Sequence, residues 1–196
     1  KDFKTFAVSN SQTSAFSAAS TTSARAGSNN ITVSQIAQEQ RSVSNGFASE
    51  TAAFTDESFT LSLSIGSISA TTTEITVTDA SLQGTVSAIN AANLGVTAEI
   101  VDTGVAGDRY RIQLIGETGA EQAFSLTSDD DSISFSSVQV ATDAQLNVNG
   151  INFTRSTNVI DDVLTGVSLT VNTVTDGAAN LNISQDNSQA RANIVD

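Results

Sequence analysis

The sequence predicts a β-rich α+β protein: two small domains of antiparallel strands with one or two short helices, one domain inserted in the other. Three observations predict this class. Several segments alternate strictly between apolar and polar residues, as strands with one buried face do. One segment, 79–95, has the apolar spacing of a helix. Alternating segments also lie on both sides of a middle block, 55–140, that has the elements of a self-contained domain.

The first strands of the middle block are predicted from period-two alternation. In "SFTLSLSI" the apolar residues occupy every second position, and Gly66 and Ser67 then supply a turn. "EITVTD" continues the alternation with Ile75 and Val77 facing inward. We expect one buried face here, formed by Phe59, Leu61, Leu63 and Ile65.

The segment "DASLQGTVSAINAANLG" changes to the helical period. Asp79 is a suitable N-cap, and Gly95 stands where a glycine ends helices. Gly84 within the segment costs about 1 kcal/mol relative to alanine, so the helix must depend on packing. Its predicted buried face consists of Leu82, Val86 and Ile89.

Further strands are predicted over 96–102 and 109–116, joined across "TGVAGD", and shorter ones over 124–126 and 133–140. The block therefore reads as one helix on a small antiparallel sheet. We expect Ile112 and Leu114 to be buried in it.

The segment "DAQLNVNGINFTRSTNVIDDVLTGVSLTV", 143–171, begins with a hairpin signal. Asn149 and Gly150 suit the two positive-φ positions of a type I′ turn. The resulting register places four apolar side chains on one face, Val148 opposite Ile151 and Leu146 opposite Phe153, and we expect all four to be buried. After the hairpin, Asn158 is predicted to cap a short helix over 159–164 that Gly166 ends. Strands over 167–171 and 180–184 come next, with Val167 and Leu169 buried.

These elements predict a discontinuous outer domain, 1–54 plus 141–187, interrupted by an inserted domain, 55–140. Residues 188–196 read as the start of a helix. The chain begins at Lys1 and stops within this helical segment, so it reads as a fragment.

Composition excludes several function classes. The chain has 21 acids, 8 bases and a net charge of −13. Such a charge disfavours nucleic acid and anionic membranes, because no basic patch exists to bind phosphate groups. Without His or Cys, the commonest zinc ligands and nucleophile–base pairs are missing. No apolar run approaches the ~20 residues of a membrane-spanning helix.

The vicinal carboxylates Asp161 and Asp162 are the first candidate for chemistry. In the predicted helix they point about 100° apart, which makes them a poor acid–base pair. An acid in a first helical turn is also favourable whether or not anything binds. We therefore interpret Asp161 and Asp162 as residues at the start of a helix rather than as a catalytic pair.

Asp129, Asp130 and Asp131 are the best metal candidates, since Ca²⁺ prefers several oxygen ligands. The run lacks the spacing of an EF-hand, and a solvated acidic turn is preferred.

Arg109 and Arg111 are interpreted as solvated charges protecting a strand edge. A Ser–Lys pair would need Lys1 or Lys4, and no two distant carboxylates are singled out as a glycosidase pair. The sequence thus predicts no enzyme, and no catalytic, cofactor-binding or metal-binding residue.

The chain resembles the head region of flagellar filament-capping proteins, also called hook-associated protein 2. Three motifs in family order carry the resemblance. "SNNITVSQIAQEQ" is similar to a strand ending in Val-x-Gln-Leu-Ala-x-x-Gln, with Ile36 in place of Leu. "SLQGTVSAINAANLGVTAEIVDTGVAGDRYRIQLIGETG" resembles a helix carrying Ile-Asn, then a strand and a hairpin. The segment 143–171 resembles the family's Asp-Ala-x-Leu-x-Val-x-Gly-Ile hairpin and its continuation through Gly-Val-x-Leu, with Thr157 where Ser is frequent.

The resemblance implies a homo-oligomeric structural cap at the distal tip of the bacterial flagellum, outside the cell. Exported flagellin subunits would fold and polymerise beneath it. It also implies export through the flagellar type III apparatus, and coiled-coil segments and a helical leg domain outside this chain. Two alternatives stay open. One is a variable outer domain of a flagellin or hook–filament junction protein, and the other is an adhesin that binds host glycans or mucin.

Overall fold

The computed structural model describes residues 5–186, and these divide into two compact units. The outer unit comprises the described residues of 1–37 and 143–196, and the inserted unit comprises 38–142. The first elements in chain order are β1 (Thr5–Asn10), β2 (Phe16–Ser20), β3 (Gly27–Gln35), β4 (Glu39–Ser44), β5 (Phe59–Ile65), β6 (Thr71–Val77), α1 (Leu82–Ala92), β7 (Thr97–Asp102) and β8 (Tyr110–Thr118). After them come β9 (Phe124–Ser128), β10 (Phe135–Gln139), β11 (Ala144–Val148), β12 (Ile151–Arg155), β13 (Val159–Leu164), β14 (Val167–Val171) and β15 (Ala179–Asp186).

The outer unit consists of two antiparallel sheets around one core. The larger sheet has the order β1-β15-β3-β11-β12, and the smaller has the order β13-β14-β2. Their inward side chains, which include Phe16, Ile31, Leu146, Leu169 and Leu181, form a single buried cluster. Alternation along each strand produces this core, because every second residue of a strand points to the same face.

The inserted unit also has two antiparallel sheets, ordered β10-β4-β8-β7 and β6-β5-β9, together with α1. Its cluster includes the predicted core residues Phe59, Leu61, Leu63, Leu82, Ile89, Ile112 and Leu114, with Val86 and Ile65 partly buried against it. The prediction of a single small sheet is wrong. The strands β5, β6 and β9 form one sheet. In the other sheet, β4, which the sequence places in the outer domain, pairs with β8 and β10.

The boundary between the units therefore differs from the expected one. Residues 38–54 and 141–142 belong to the inserted unit, whereas the sequence predicts them in the outer domain. The partners of β4 lie about 70 to 100 positions further along the chain, and local alternation carries no information about them. Residues 188–196, predicted to begin a helix, lie outside the described residues.

The hairpin register is confirmed. Val148 lies opposite Ile151 and Leu146 opposite Phe153, with φ of 53° at Asn149 and 90° at Gly150. Leu146 and Val148 are buried and Phe153 is partly buried against the core, but the predicted burial of Ile151 is wrong, because this residue is 62% exposed. Ile151 is the first residue of β12, an edge strand of the five-stranded sheet, and it directly follows the turn.

The helix α1 is confirmed but its caps are displaced. Ser81, not Asp79, is the N-cap, and its Oγ accepts a hydrogen bond from the backbone N–H of Gly84 at 3.0 Å. Asp79 instead accepts one from the N–H of Ser81. Asn93, with φ of 49°, ends the helix two residues before Gly95.

Among residues 5–186, no helix combines the length and apolar character that crossing a bilayer requires.

The second predicted helix does not form. Residues 159–164 are the strand β13, which pairs with β14. Val159 and Ile160 are β-branched and suit a strand, but the signals of a cap at Asn158 and a stop at Gly166 favoured a helix. Once β14 supplies hydrogen bonds, the strand is preferred over a six-residue helix, which is marginal in isolation.

Candidate functional site

The vicinal carboxylates are not a helix start, as the sequence had suggested, but part of β13. Asp162 receives two parallel hydrogen bonds from Arg155, Nε to Oδ1 at 2.9 Å and Nη2 to Oδ2 at 2.7 Å. These hydrogen bonds lower the pKa of Asp162 below its usual value. The same guanidinium donates to the carbonyl of Thr154 and lies 5.6 Å from the Phe153 ring centroid. Asp161 is exposed and has no ion pair within residues 5–186, so the two carboxylates do not act together.

The acidic run at 129–131 is engaged in local main-chain bonding. Asp129 Oδ1 accepts from the N–H of Thr60 at 2.7 Å. Asp130 Oδ1 accepts from the N–H of Ser132 at 2.7 Å, which lowers the pKa of Asp130. Within the described range, no group of three or more His, Cys, Asp or Glu side chains is arranged to hold a metal ion.

Arg111 does not protect an edge, because it lies in β8, which is between β4 and β7. Arg109 lies directly before this strand. Arg109 forms a two-bond ion pair with Asp102, with Nη2 and Oδ2 2.7 Å apart, and this lowers the pKa of Asp102. Arg111 donates to the carbonyl of Ser44 at 2.8 Å. Both guanidiniums therefore link neighbouring strands or turns.

The sequence did not predict a set of Asn and Gln side chains whose amide groups form hydrogen bonds with the backbone, in the way that a neighbouring strand does. Each donates to a backbone carbonyl and accepts from the backbone N–H of the same residue. Four such pairs are present in the described part, Gln12 with Asp176, Gln40 with Phe124, Asn90 with Ala98, and Asn158 with Ala37. Asparagine and glutamine are common in the whole sequence, so no local signal distinguishes these four.

Charge is distributed unequally between the two units. Residues 38–142 carry 14 acids and 3 bases, a net of −11, whereas 1–37 and 143–196 carry 7 acids and 5 bases, a net of −2. The two values account for the −13 of the whole chain. Like charges brought together oppose association, so a second copy meets far less repulsion at the outer unit.

On the side away from the core, the strands β3, β11 and β12 and the first part of β15 present uncharged side chains; Asp186 at the end of β15 is the charged residue on this side within residues 5–186. We call the surface formed by these uncharged side chains the polar sheet face, and it consists of Ser28, Asn30, Thr32, Ser34, Gln145, Asn147, Asn152, Thr154, Asn180, Asn182 and Ser184. Each member is exposed or half-buried.

Hydrogen bonds between strands hold side chains of the polar sheet face in place. Asn147 Nδ2 donates to Asn152 Oδ1, and Asn180 Nδ2 donates to Ser28 Oγ, each at 2.7 Å. Ordering of this kind reduces the entropy that the side chains lose on binding. The polar sheet face is therefore the candidate functional surface, and it is suited to association rather than to catalysis.

Comparison with known proteins identifies relatives from the bacterial flagellum. A family model described as "Flagellar hook-associated protein 2 C-terminus" matches residues 141–196. The flagellar hook-associated protein 2 of Escherichia coli K12 is 33% identical over 170 residues, which cover 78% of this chain and 36% of that protein. The chain thus spans about a third of the length of this curated relative.

Solved structures show the same relationship. The D2–D3 domains of the flagellar cap protein FliD from Escherichia coli match with a TM-score of 0.81 and 28% identity, over 93% of this chain and 100% of that one. The D2–D3 domains of FliD from Serratia marcescens match with a TM-score of 0.74 and 28% identity, over 87% and 100% of the two chains.

The fold and these comparisons thus define the class, a pair of β-rich domains of the flagellar cap type. The chain belongs to the flagellar hook-associated protein 2 family. The relatives described above are named as flagellar cap or hook-associated proteins, and none of them is named as an enzyme.

Proposed function

We propose that this chain is the head region of a flagellar cap protein, a structural component without catalytic activity. In the full-length protein it contributes to an oligomeric plate at the distal tip of the filament, outside the cell. Flagellin subunits exported by the flagellar type III apparatus fold and polymerise beneath that plate. The observation that supports this most directly is the likeness to the D2–D3 domains of Escherichia coli FliD, which covers the whole of that structure.

We further propose that the polar sheet face forms contacts between neighbouring copies. Interface centres are depleted of charged residues, and the eleven positions of this face have no formal charge. The inserted unit, at −11, opposes close approach of another copy. A contact through the outer unit avoids most of this repulsion.

The test places charges on the polar sheet face of the full-length protein. We expect Thr154→Asp combined with Asn182→Asp to shift the protein from oligomer towards monomer in light scattering. Cells carrying the double variant should swim less far in soft agar. The matched control is Thr73→Asp with Ser136→Asp, which adds the same charge at exposed strand positions of the inserted unit. The control should assemble as the wild type does.

Each outcome has a separate meaning. A wild-type full-length protein that stays monomeric and is dispensable for swimming contradicts the cap function itself. A wild-type oligomer that the double variant leaves intact contradicts only the assignment of the contact surface. Saturable binding of the isolated chain to mucin, with swimming unaffected by its deletion, supports an adhesin instead.

A further inference from the structure

The chain contains two Asn-Gly dipeptides, Asn45-Gly46 and Asn149-Gly150. In this dipeptide the glycine backbone nitrogen can form a bond to Cγ of the asparagine. The nitrogen loses its proton, the side-chain amide leaves as ammonia, and a cyclic imide remains. Water then opens the imide at either carbonyl and produces aspartate or isoaspartate. The small glycine makes this attack easier than any bulkier residue does, so both positions are candidate modification sites.

At Asn149 the folded hairpin engages every group that takes part in the reaction. The side-chain Oδ1 accepts a hydrogen bond from the N–H of Asn30 at 2.9 Å, and Nδ2 donates to Asn29 Oδ1 at 2.9 Å. The attacking nitrogen, of Gly150, donates to Asn147 Oδ1 at 2.9 Å. Reaction thus requires that these hydrogen bonds break and that the side chain leave β3.

Asn45 is held differently, and it offers a comparison within the same chain. Its Oδ1 accepts from the N–H of Ser134 at 2.9 Å, and its Nδ2 donates to the carbonyl of Ser132 at 3.0 Å. The N–H of Gly46, however, donates no hydrogen bond within the described part of the chain. The leaving amide is held at both sites, but the nucleophile is held only at Asn149.

We propose that Asn149 is a deamidation site controlled by folding, protected while the hairpin is closed and reactive once it opens. Loss of ammonia at this position therefore records the time that a chain has spent with the β11–β12 hairpin detached from β3. The proposal does not depend on the proposed cap function.

The modification would damage the outer unit. Aspartate at 149 places a carboxylate against the side-chain oxygen of Asn29, where an amide now donates. Isoaspartate lengthens the main chain within a two-residue turn whose geometry sets the register of β12. A slip of one residue would turn Phe153 from the core side to the polar sheet face. Modified chains should therefore lose the ordered form of this edge of the sheet.

The experiment compares the two sites by peptide mapping with mass spectrometry. Full-length protein is incubated in mildly alkaline buffer, once folded and once in guanidinium chloride. In denaturant we expect similar rates at Asn149 and Asn45, because both precede glycine. In the folded protein we expect Asn149 to react at least about tenfold more slowly than in denaturant, which corresponds to about 1.4 kcal/mol of opening free energy. We also expect it to react more slowly than Asn45.

A variant isolates the contribution of the nucleophile. Asn147→Ala frees the N–H of Gly150 and should accelerate deamidation of Asn149 in the folded protein severalfold. The rate at Asn45 in the same sample reports any general loosening of the fold and should not change. Equal rates at Asn149 in folded and denatured protein would overturn the proposal. An Asn147→Ala variant that reacts at the wild-type rate would overturn the part assigned to the Asn147 side chain.

Discussion

Asn158 pairs with the backbone of Ala37 through both ends of its side-chain amide. Its Oδ1 accepts from the N–H of Ala37 at 2.8 Å, and its Nδ2 donates to the carbonyl of Ala37 at 2.9 Å. The backbone carbonyl of Asn158 also accepts from the N–H of Val171 at 2.8 Å. One residue thereby joins the chain after β3, the approach to β13 and the end of β14.

The first prediction concerns this amide. Asn158→Asp should lower the free energy of unfolding by about 1–2 kcal/mol, because the donor is lost and a carboxylate oxygen faces the Ala37 carbonyl. Urea unfolding monitored by circular dichroism measures the change. Asn172→Asp is the matched control, since Asn172 is exposed and its side chain makes no hydrogen bond in the described structure. Equal effects of the two substitutions would contradict the structural part assigned to Asn158.

In the inserted unit, Gln40 forms the same pair of side-chain to backbone hydrogen bonds that Asn158 forms in the outer unit. It is buried in β4 and bonds both the N–H and the carbonyl of Phe124, which begins β9 in the other sheet. Gln40→Leu leaves these two groups without partners and should destabilise the protein by about 2–4 kcal/mol in chemical denaturation. Gln83→Leu, at an exposed helix position, should change stability by less than about 0.5 kcal/mol. A Gln40 variant as stable as the wild type would show that other groups or water satisfy Phe124.

The ion pair of Arg155 and Asp162 predicts a dependence of stability on pH. Because the folded state lowers the pKa of Asp162, the pair stabilises the protein above the ordinary value of 3.8 and is lost as the pH falls through the lower folded value. Asp162→Asn should therefore be less stable than the wild type near neutral pH, and the difference should shrink below pH 3.8. Thermal unfolding midpoints from neutral pH to strong acid measure this. Asp161→Asn serves as the control, and a difference of constant size at all pH values would argue against the pair.

Gly84 is required in α1 for a steric reason, which helix propensity does not take into account. A Cβ at this position would overlap the carbonyl oxygen and the side chain of Asp79. Gly84→Ala should therefore destabilise the protein by about 1–3 kcal/mol, although alanine favours a helix by about 1 kcal/mol. Gly27→Ala is the control, because no heavy atom lies within 4 Å of a Cβ there. Calorimetry on both variants would decide, and a stabilised Gly84→Ala protein would contradict the overlap.

Much of the fold was predictable wherever local chemistry and burial agree. The strands β5 and β6, the helix α1 and most of the core come from apolar periodicity, since each period selects one buried face. The candidate surface was not predictable. The hairpin register already places Asn147 opposite Asn152. Whether Thr32 lies beside them depends on the pairing of β3 with β11, which are separated by more than 100 residues.

The sequence by itself determined the hairpin at 146–153, because Asn149 and Gly150 are adjacent residues that tolerate positive φ and two flanking residues on each side complete the register. It also determined the family resemblance and the excess of acids. Only the tertiary structure decided that 159–164 is a strand, that β4 belongs to the inserted unit, and that Asn158 bonds Ala37 across 121 positions. These outcomes depend on hydrogen-bond partners distant in sequence, whereas the signals within a segment report only its own backbone preferences and its buried face.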